Sequence, residues 1–378
     1  MKIQRLLLSQ LQDTIIPGKV LVLYGPRQVG KTTLAKDLLS LVSLRSRFVN
    51  ADELVYREAL ASQSRQRLGE VLGDAELLVI DEAQRVPEIG LNLKILIDSY
   101  PQAVILATGS ASFDLANKIS DPLTGRKLTF NLYPTSYNEI RQTIGALEAR
   151  AQLERWLVWG SYPAIATTDN PIMRERLLGE LVGSYLYRDI LDMEGIRRAE
   201  KIVDLLRLLA FQIGQKVSLA ELAASIALNR QTVERYLDLL EKVFVIFKVG
   251  GFSRNLRKEV TKNPRYYFYD NGVRNSLIQN FNPLALRNDV GQLWENYLLM
   301  ERRKANQAAG RTVNAYFWRT YDQKEIDCIE EHGGKLYGYE FKWQSGEIRR
   351  ATRSEFHNAY PGSELTTINR ENFEGFLG

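Results

Sequence analysis

The stretch "KVLVLYGPRQVGKTT", residues 19–33, decides the fold of the N-terminal part of the chain. Its apolar first half is typical of a strand buried in a parallel sheet. The pattern G-x-x-x-x-G-K-[ST] follows, and leucines at helical spacing come after it. Glycines let the backbone curl so that successive N–H groups point at phosphate oxygens, and the following helix N-terminus adds partial positive charge. The stretch therefore predicts a phosphate-binding loop between a strand and a helix.

Such a loop is expected to bind ATP together with Mg²⁺. Lys31 would reach the β- and γ-phosphates, and Thr32 would ligate the metal. The residues expected to contact the nucleotide are Gly25, Pro26, Arg27, Gln28, Val29, Gly30, Lys31, Thr32 and Thr33.

Two more apolar strands carry polar residues at their carboxyl ends. In "ELLVIDEAQ", residues 76–84, Asp81 would hold the Mg²⁺ shell and Glu82 would polarise the attacking water. The stretch "AVILATGSAS", residues 103–112, ends in Thr108 and Ser110. Polar residues there can touch the γ-phosphate or the water, or they can form a plain turn from strand to loop.

The composition indicates a packed globular protein of more than one domain, with 378 residues, 45% hydrophobic and 25% charged. No apolar run reaches the roughly 18 residues that a membrane span needs, and the N-terminus lacks the features of a secretory signal. Cys328 is the only cysteine, which excludes an intramolecular disulfide and a multi-cysteine zinc site. We expect a cytoplasmic protein with no membrane partner.

Positive charge is concentrated in one part of the chain. Residues 197–274 contain 15 Lys and Arg against 8 Asp and Glu, a net charge of +7, while the whole chain carries +5. A localised basic excess is how a nucleic-acid-binding surface would look in a sequence. The alternative is an ordinary solvated helical surface.

Several stretches together resemble the prokaryotic AAA-type ATPases that carry a C-terminal domain of unknown function. They are "GPRQVGKTTL", "VIDEAQ", "ATGSAS", "LTGRKLTFNLYPTSYNEI" (residues 123–140) and "GSYP" (residues 160–163). The resemblance implies an α/β class, with a doubly wound parallel sheet in an ATPase core at residues 1–145 and a helical lid at residues 146–195.

The same resemblance implies that Ser110 is a sensor residue and that Arg126 is a candidate arginine finger. Arg85 and Arg27 are further candidates. An arginine near the γ-phosphate neutralises charge in the transition state, and one that acts across a subunit boundary requires an oligomer. A homo-oligomeric ring, such as a hexamer, is the expected assembly, although Arg126 can also be an ordinary surface arginine.

Residues 196–262 predict a winged helix-turn-helix. Ser218 and Glu221 form a capping box at the start of one helix, and Asn229 caps the next. A strand and a Gly-Gly turn follow, as in a β-wing. Arginine and glutamine side chains of the second helix could read base edges, and basic residues after the wing could meet phosphates. The candidate DNA-binding residues are Arg230, Gln231, Arg235, Arg254, Arg257 and Lys258. The same module often contacts protein instead.

The last segment, residues 263–378, is similar to the PD-(D/E)xK nuclease-like fold. A helix with Glu295 precedes two strands that carry Asp327 and, after Gly-Gly, Glu340 and Lys342 in matching order. A hairpin can bring Asp327 and Glu340 side by side, where carboxylates would hold Mg²⁺ and Lys342 would orient a water. The alternative is a hairpin with charged residues on its wet face.

The sequence therefore predicts an ATP-hydrolysing AAA-type ATPase that acts on DNA by remodelling or translocation, with Mg²⁺-dependent cleavage as an added activity of the tail. A different class stays open, namely a signalling or defence switch in which the nucleotide state controls assembly and the winged helix binds protein.

Overall fold

The computed structural model describes residues 2–110, 123–191, 199–253, 263–320 and 322–378, with the backbone alone for residues 184–191 and 199. The chain forms two compact units. Unit 1 consists mainly of the residues up to Thr135, and unit 2 mainly of those from Ser136 onwards. The finer division into four domains stays a prediction.

Unit 1 is a parallel sheet with helices on its faces. Its elements are α1 (Leu7–Asp13), β1 (Val20–Gly25), α2 (Lys31–Leu41), β2 (Ser46–Asn50), α3 (Leu54–Leu60), α4 (Arg65–Leu72), β3 (Leu77–Asp81), α5 (Ile89–Ser99), β4 (Val104–Ser110) and β5 (Lys127–Asn131). The five strands are all parallel, in the order β2-β3-β4-β1-β5. The predicted strands around the phosphate-binding loop are confirmed.

Both faces of this sheet are covered, as the unbroken apolar runs predict. Along β1, Val20 and Val22 belong to a core that includes residues of α3, α4 and α5. Leu21 and Leu23 point the other way, into a core shared with α1 and α2. Side chains alternate along a strand, so a strand that is buried on both faces must be apolar at every position.

Unit 2 consists of a mixed sheet and helices. Its elements are α6 (Tyr137–Ile144), α7 (Ala146–Ala151), α8 (Leu153–Trp159), α9 (Pro163–Ala166), α10 (Pro171–Leu191), α11 (Ala199–Phe211), α12 (Leu219–Ser225), α13 (Arg230–Lys242), β6 (Ile246–Gly251), β7 (Arg265–Phe268), α14 (Asn271–Leu277), α15 (Val290–Ala308), β8 (Ala315–Arg319), β9 (Glu325–His332), β10 (Lys335–Phe341), α16 (Arg350–Ala359), β11 (Glu364–Ile368) and α17 (Phe373–Phe376). The sheet order is β11-β10-β9-β8-β6-β7.

Helices α12 and α13 begin where their caps predict. The Ser218 hydroxyl accepts a hydrogen bond from the Glu221 N–H, and the Asn229 side chain accepts one from the Thr232 N–H at 2.8 Å. After α13, β6 pairs antiparallel with β7 and parallel with β8. The strand expected in the wing is therefore part of the six-stranded sheet, and the winged-helix assignment itself stays a prediction.

The expected tail hairpin is present. Strands β9 and β10 are antiparallel, and Gly333 and Gly334 between them have φ of 59° and 75°. Such left-handed values at both central residues suit a two-residue hairpin turn. The register pairs Tyr339 with Cys328, which brings Asp327 opposite Glu340.

Two short motifs of unit 2 interlock. The Asp270 carboxylate accepts hydrogen bonds from the Ser161 N–H at 2.7 Å and from the Val273 N–H at 3.1 Å. Gly160 has φ of +71°, and a Cβ built on it would lie 2.0 Å from Asp270 Oδ1. The "GSYP" motif and the start of α14 therefore fit together through a buried carboxylate that leaves no room for a side chain.

Within the described ranges, no helix is both long enough and apolar enough to cross a lipid bilayer.

We expect Gly160→Ala to destabilise the protein by at least about 2 kcal/mol, because it adds left-handed strain and a clash with Asp270. Thermal unfolding followed by circular dichroism measures the change. Gly179→Ala is the matched control, since Gly179 lies in α10 and its Cβ would meet nothing within 4 Å. That control should gain roughly 0.5–1 kcal/mol from helix propensity. Equal melting temperatures for the two variants would contradict the interlock.

Candidate nucleotide-binding site

The polar residues predicted for nucleotide chemistry meet at one edge of the unit 1 sheet. Gly25 ends β1, Asp81 ends β3 and Ser110 ends β4. Because these strands are parallel and adjacent, their carboxyl ends lie at the same edge. The register pairs Gly25 directly with Ser110.

The backbone of the loop has the curled conformation that the glycine pattern predicts. Gln28 has φ of 58° and Gly30 has φ of 97°, both in the left-handed region. A Cβ on Gly25 would lie 2.3 Å from the carbonyl oxygen of Leu132, the residue that follows β5. Gly25 is therefore required by close packing of neighbouring backbone, and Gly30 by its φ.

Lys31 opens α2 and is buried, with 6% of its surface exposed. Its ammonium group donates to the carbonyl oxygens of Gly25 at 3.0 Å and Pro26 at 2.8 Å. The lysine thus lies across its own loop, where its charge is available to an anion that the loop amides bind.

Asp81 connects the loop to two strands. Its Oδ2 accepts the Thr32 hydroxyl at 2.8 Å, and its Oδ1 accepts the hydroxyl of Thr108 from β4. Asp81 is only 3% exposed. A buried carboxylate and a neighbouring hydroxyl are hard oxygen donors, which are the ligands that Mg²⁺ prefers.

Glu82 follows with φ of 54°, in the left-handed region. Its carboxylate accepts the Gln84 side-chain amide at 2.5 Å, and the same amide nitrogen lies 3.1 Å from the Ser110 hydroxyl oxygen. The water-polarising candidate and the sensor candidate are thus joined by one side chain. Gln84 stands in the "DEAQ" stretch, but the sequence offered no reason to assign it a role.

Arg5 is a second residue that sequence reasoning missed. Its guanidinium donates to the carbonyl oxygen of Val29 inside the loop at 2.8 Å and to that of Tyr133 at 2.6 Å. The contacts tie the N-terminal segment to the phosphate-binding loop. A residue 20 or more positions upstream of a motif carries no local signal of this contact.

Of the candidate finger arginines, Arg27 lies within the phosphate-binding loop itself, whereas Arg126 lies away from it. Arg126 precedes β5 and forms an ion pair with Asp98, and its carbonyl oxygen accepts the N–H of Val20 at the start of β1. It therefore lies at the opposite edge of the sheet, about five residues or 16 Å along the strand from Gly25. Arg85 pairs with Asp52 at 3.4 Å. In this structure Arg126 lies away from the loop of its own chain, and its role as a finger, within the chain or across a subunit boundary, stays a prediction.

The predicted DNA-binding residues of α13 are exposed. Arg230, Gln231 and Arg235 lie on its outer face, and Arg230 forms an ion pair with Glu234 at 3.4 Å. The residues Arg254, Arg257 and Lys258 lie outside the described residues.

The charged residues of the tail come together in unit 2. Asp327 Oδ2 accepts the Phe341 N–H at 2.8 Å, and Lys342 donates to Glu340 at 2.7 Å. Glu295 accepts the Tyr267 hydroxyl at 2.5 Å. The buried Arg265 reaches Glu295 at 3.4 Å and also pairs with Glu325. Sequence reasoning missed Arg265 because it stands at the start of an aromatic strand.

Burial and mutual repulsion favour the protonated acids in this cluster. Burial raises the pKa of Glu295 to about 7, against the attraction of Arg265. Burial, with the negative charges of Glu295 and Glu340, also raises the pKa of Asp327. Burial acts to lower the pKa of Lys342, but its hydrogen bond with Glu340 and the negative charges of Glu340 and Asp327 together outweigh this, and the pKa is raised.

This arrangement leaves the expected nuclease metal site a prediction. Among the residues that the structure describes, no group of three or more His, Cys, Asp or Glu side chains is placed to hold a metal ion. The metal-ligand role of Asp327 and Glu340, with Glu295 beside them, stays a prediction. Arg265 pairs with Glu295, and Lys342 pairs with Glu340.

We expect the stability contributed by Glu295 to be present at acid pH and lost as pH rises. The folded state holds its proton up to about pH 7, against an ordinary value of 4.5. The folded state therefore binds more protons in this window, and the free energy of unfolding falls with rising pH. Melting temperatures between about pH 5 and pH 8 should fall less steeply in Glu295→Gln than in the parent. Glu347→Gln, at an exposed position, is the control. Identical slopes in all three proteins would refute the expectation.

Comparison with known families divides the chain into three matched stretches. Residues 17–141 match the AAA domain, residues 150–284 a domain of unknown function (DUF8612) and residues 290–371 another domain of unknown function (DUF4143). The AAA match covers the phosphate-binding loop and the strand-end residues Asp81, Glu82, Gln84 and Ser110, and it does not include Arg5.

Two solved structures show low similarity. The signal transduction ATPase with numerous domains (STAND) with a tetratricopeptide repeat sensor from Pyrococcus horikoshii has a TM-score of 0.31 and 13% identity, over 82% of this chain and 48% of that one. This chain thus spans about half of that protein's length. The Thermotoga maritima RuvB Holliday junction branch migration motor has a TM-score of 0.30 and 19% identity, over 65% and 90%.

A protein relative is closer in sequence. The uncharacterized protein Rv2008c of Mycobacterium tuberculosis is 30% identical over 354 residues, which are 92% of this chain and 75% of that protein. With this identity over most of both chains, and with an AAA domain at residues 17–141, the protein belongs to the same family as Rv2008c.

Proposed function

We propose that the protein binds ATP with Mg²⁺ and hydrolyses it at the edge of the unit 1 sheet. The observation that carries the proposal is the joining of Asp81 to Thr32 and Thr108 beside a loop whose lysine, Lys31, is buried across it. A loop of this form has its amides directed at an anion, and its lysine supplies the counter-charge.

Each residue then has a defined task. The loop amides and Lys31 hold the β- and γ-phosphates, and Glu82 orients a water molecule and accepts one of its protons. The water oxygen forms a new bond to the γ-phosphorus while the bond to the oxygen of the departing ADP breaks. Ser110, at the end of β4, is near enough to Glu82 to share a hydrogen-bonding partner with it.

The oxygen donors of this edge fit Mg²⁺. The Thr32 hydroxyl and the Asp81 carboxylate are 2.8 Å apart and half-buried or buried. When bound, the metal would neutralise charge on the phosphate oxygens. Thr32 would hold it directly, and Asp81 would hold its shell.

Lys31→Ala should abolish ATP turnover and weaken nucleotide binding at least about tenfold, because the charge over the phosphates is lost. Glu82→Gln should still bind nucleotide but lower kcat by about a hundredfold or more, since the proton acceptor is gone. Turnover is measured as phosphate release, and binding with a fluorescent ATP analogue.

The matched control is Lys36→Ala, which removes an exposed lysine from the same helix. It should leave both quantities within about twofold of the parent. Undiminished turnover in Lys31→Ala would overturn the site assignment.

A role on DNA is the candidate for what ATP turnover drives. It is supported by the exposed Arg230, Gln231 and Arg235 of α13 and by the net charge of +7 in residues 197–274. Exposed cations attract phosphates whatever the base sequence, and the attraction weakens with salt. Glu234 reduces the effect at Arg230, because the two side chains are paired. Mg²⁺-dependent cleavage by the tail stays a prediction, as an added activity beside ATP turnover.

The double variant Arg230→Glu with Arg235→Glu should lose stimulation of ATP turnover by DNA and keep its DNA-free rate. Turnover is measured with and without single- and double-stranded DNA at two stated salt concentrations. Arg65→Glu with Arg67→Glu is the control, because it makes the same charge change on exposed positions of α4.

The second candidate, a nucleotide-controlled switch that binds protein, makes the opposite prediction. In that case DNA has no effect on the parent protein, and the nucleotide state changes the oligomer size measured by light scattering. The ring assembly and a role for Arg126 across its subunit boundary belong to either function.

A further inference from the structure

Only one orientation of the Gln84 side-chain amide is compatible with its contacts. Its amide nitrogen lies 2.5 Å from Glu82 Oε2 and 3.1 Å from Ser110 Oγ. A carboxylate only accepts hydrogen bonds, so the NH₂ group and not the amide oxygen must face it. The two N–H bonds of one amide are therefore divided between Glu82 and Ser110.

The hydrogen bond from Gln84 determines how the Ser110 hydroxyl can be used. A serine hydroxyl has one hydrogen and two acceptor positions. Because Gln84 donates to its oxygen, the hydroxyl hydrogen of Ser110 remains available to donate to another group. Ser110 ends β4 opposite Gly25, and is 5% exposed. A hydroxyl hydrogen at this edge is suited to donate to a phosphate oxygen bound by the loop.

The hydrogen bond from Gln84 also restrains the Glu82 side chain. Its backbone is in the left-handed region, and its N–H lies 3.4 Å from Thr108 Oγ1. Because Gln84 is only two residues further on, in a single turn of 3₁₀-helix from Ala83 to Arg85, its amide is held at a fixed distance from Glu82. The carboxylate therefore has one fixed donor next to it before any water arrives. The Oε1 atom of Gln84 is buried and accepts no hydrogen bond from the described residues.

We propose that Gln84 is a positioning residue that fixes Glu82 and Ser110 relative to each other, so that the attacking water and the γ-phosphate are oriented together. The inference rests on the proposed ATP hydrolysis and adds to it a residue that touches neither the phosphates nor the water. Misplacing a catalytic group by about 1 Å can reduce a rate a hundredfold, so the hydrogen bonds of one side-chain amide can control turnover.

The test is Gln84→Met, which keeps the length of the side chain and removes both donors. It should lower kcat about ten- to a hundredfold and leave the affinity for a fluorescent ATP analogue within about twofold, because no phosphate contact is lost. A residue that served only to stabilise the fold would lower both binding and melting temperature. Gln84→Ala gives a second measurement if methionine does not fit.

A double-mutant cycle tests the link itself. If Gln84 acts by joining Ser110 to Glu82, Gln84→Met combined with Ser110→Ala should be about as slow as the slower single variant, and not the product of both effects. Gln66→Ala is the matched control, because Gln66 donates to Glu70 at 3.2 Å on the exposed side of α4 and has no link to the site. It should keep the parental kcat.

The outcomes separate the two claims. An unchanged kcat in Gln84→Met, or multiplicative effects in the cycle, would overturn the positioning role while ATP hydrolysis by the parent protein stands. A parent protein that binds and hydrolyses no ATP would overturn the proposed function, and this inference with it.

Discussion

The carboxylate of Asp81 connects the parts on which the nucleotide site depends. It accepts hydroxyl groups from Thr32, at the start of α2, and from Thr108, near the end of β4. These contacts link the first turn after the phosphate-binding loop to two neighbouring strands. A buried carboxylate is costly unless it is fully hydrogen-bonded, so its bonds hold the three segments in one arrangement. The other polar groups of the edge take their positions from this arrangement.

Unit 2 contains a buried cluster of ionisable residues. Burial raises the pKa of Glu295 and Asp327, and Arg265 and Lys342 form ion pairs with the neighbouring Glu295 and Glu340. Removing one partner from such a buried set leaves an uncompensated charge, which is strongly destabilising. The cluster therefore fits a structural role in the sheet of unit 2. The Asp270 carboxylate beside Gly160 is also fixed in position, because it accepts hydrogen bonds from two backbone N–H groups.

Much of the fold follows from local patterns in the sequence. The buried strands of unit 1, the caps at Ser218 and Asn229 and the hairpin turn at Gly333 and Gly334 were predictable because each depends on neighbouring residues. The opposition of Asp327 and Glu340 was predictable too, because turn length sets hairpin register. Arg5 and Arg265 were not, since each acts on residues far away in the sequence.

The sequence by itself determined that a phosphate-binding loop stands between a strand and a helix, because glycine spacing, a lysine and apolar runs act over a few residues. It also placed Asp81, Glu82 and Ser110 at strand ends. Only the tertiary structure decided which of these groups touch, that Gln84 joins two of them, and that Arg126 lies at the far edge of the sheet. The physical reason is that hydrogen bonds and ion pairs between strands depend on register and packing, which bring together residues that the linear order keeps apart.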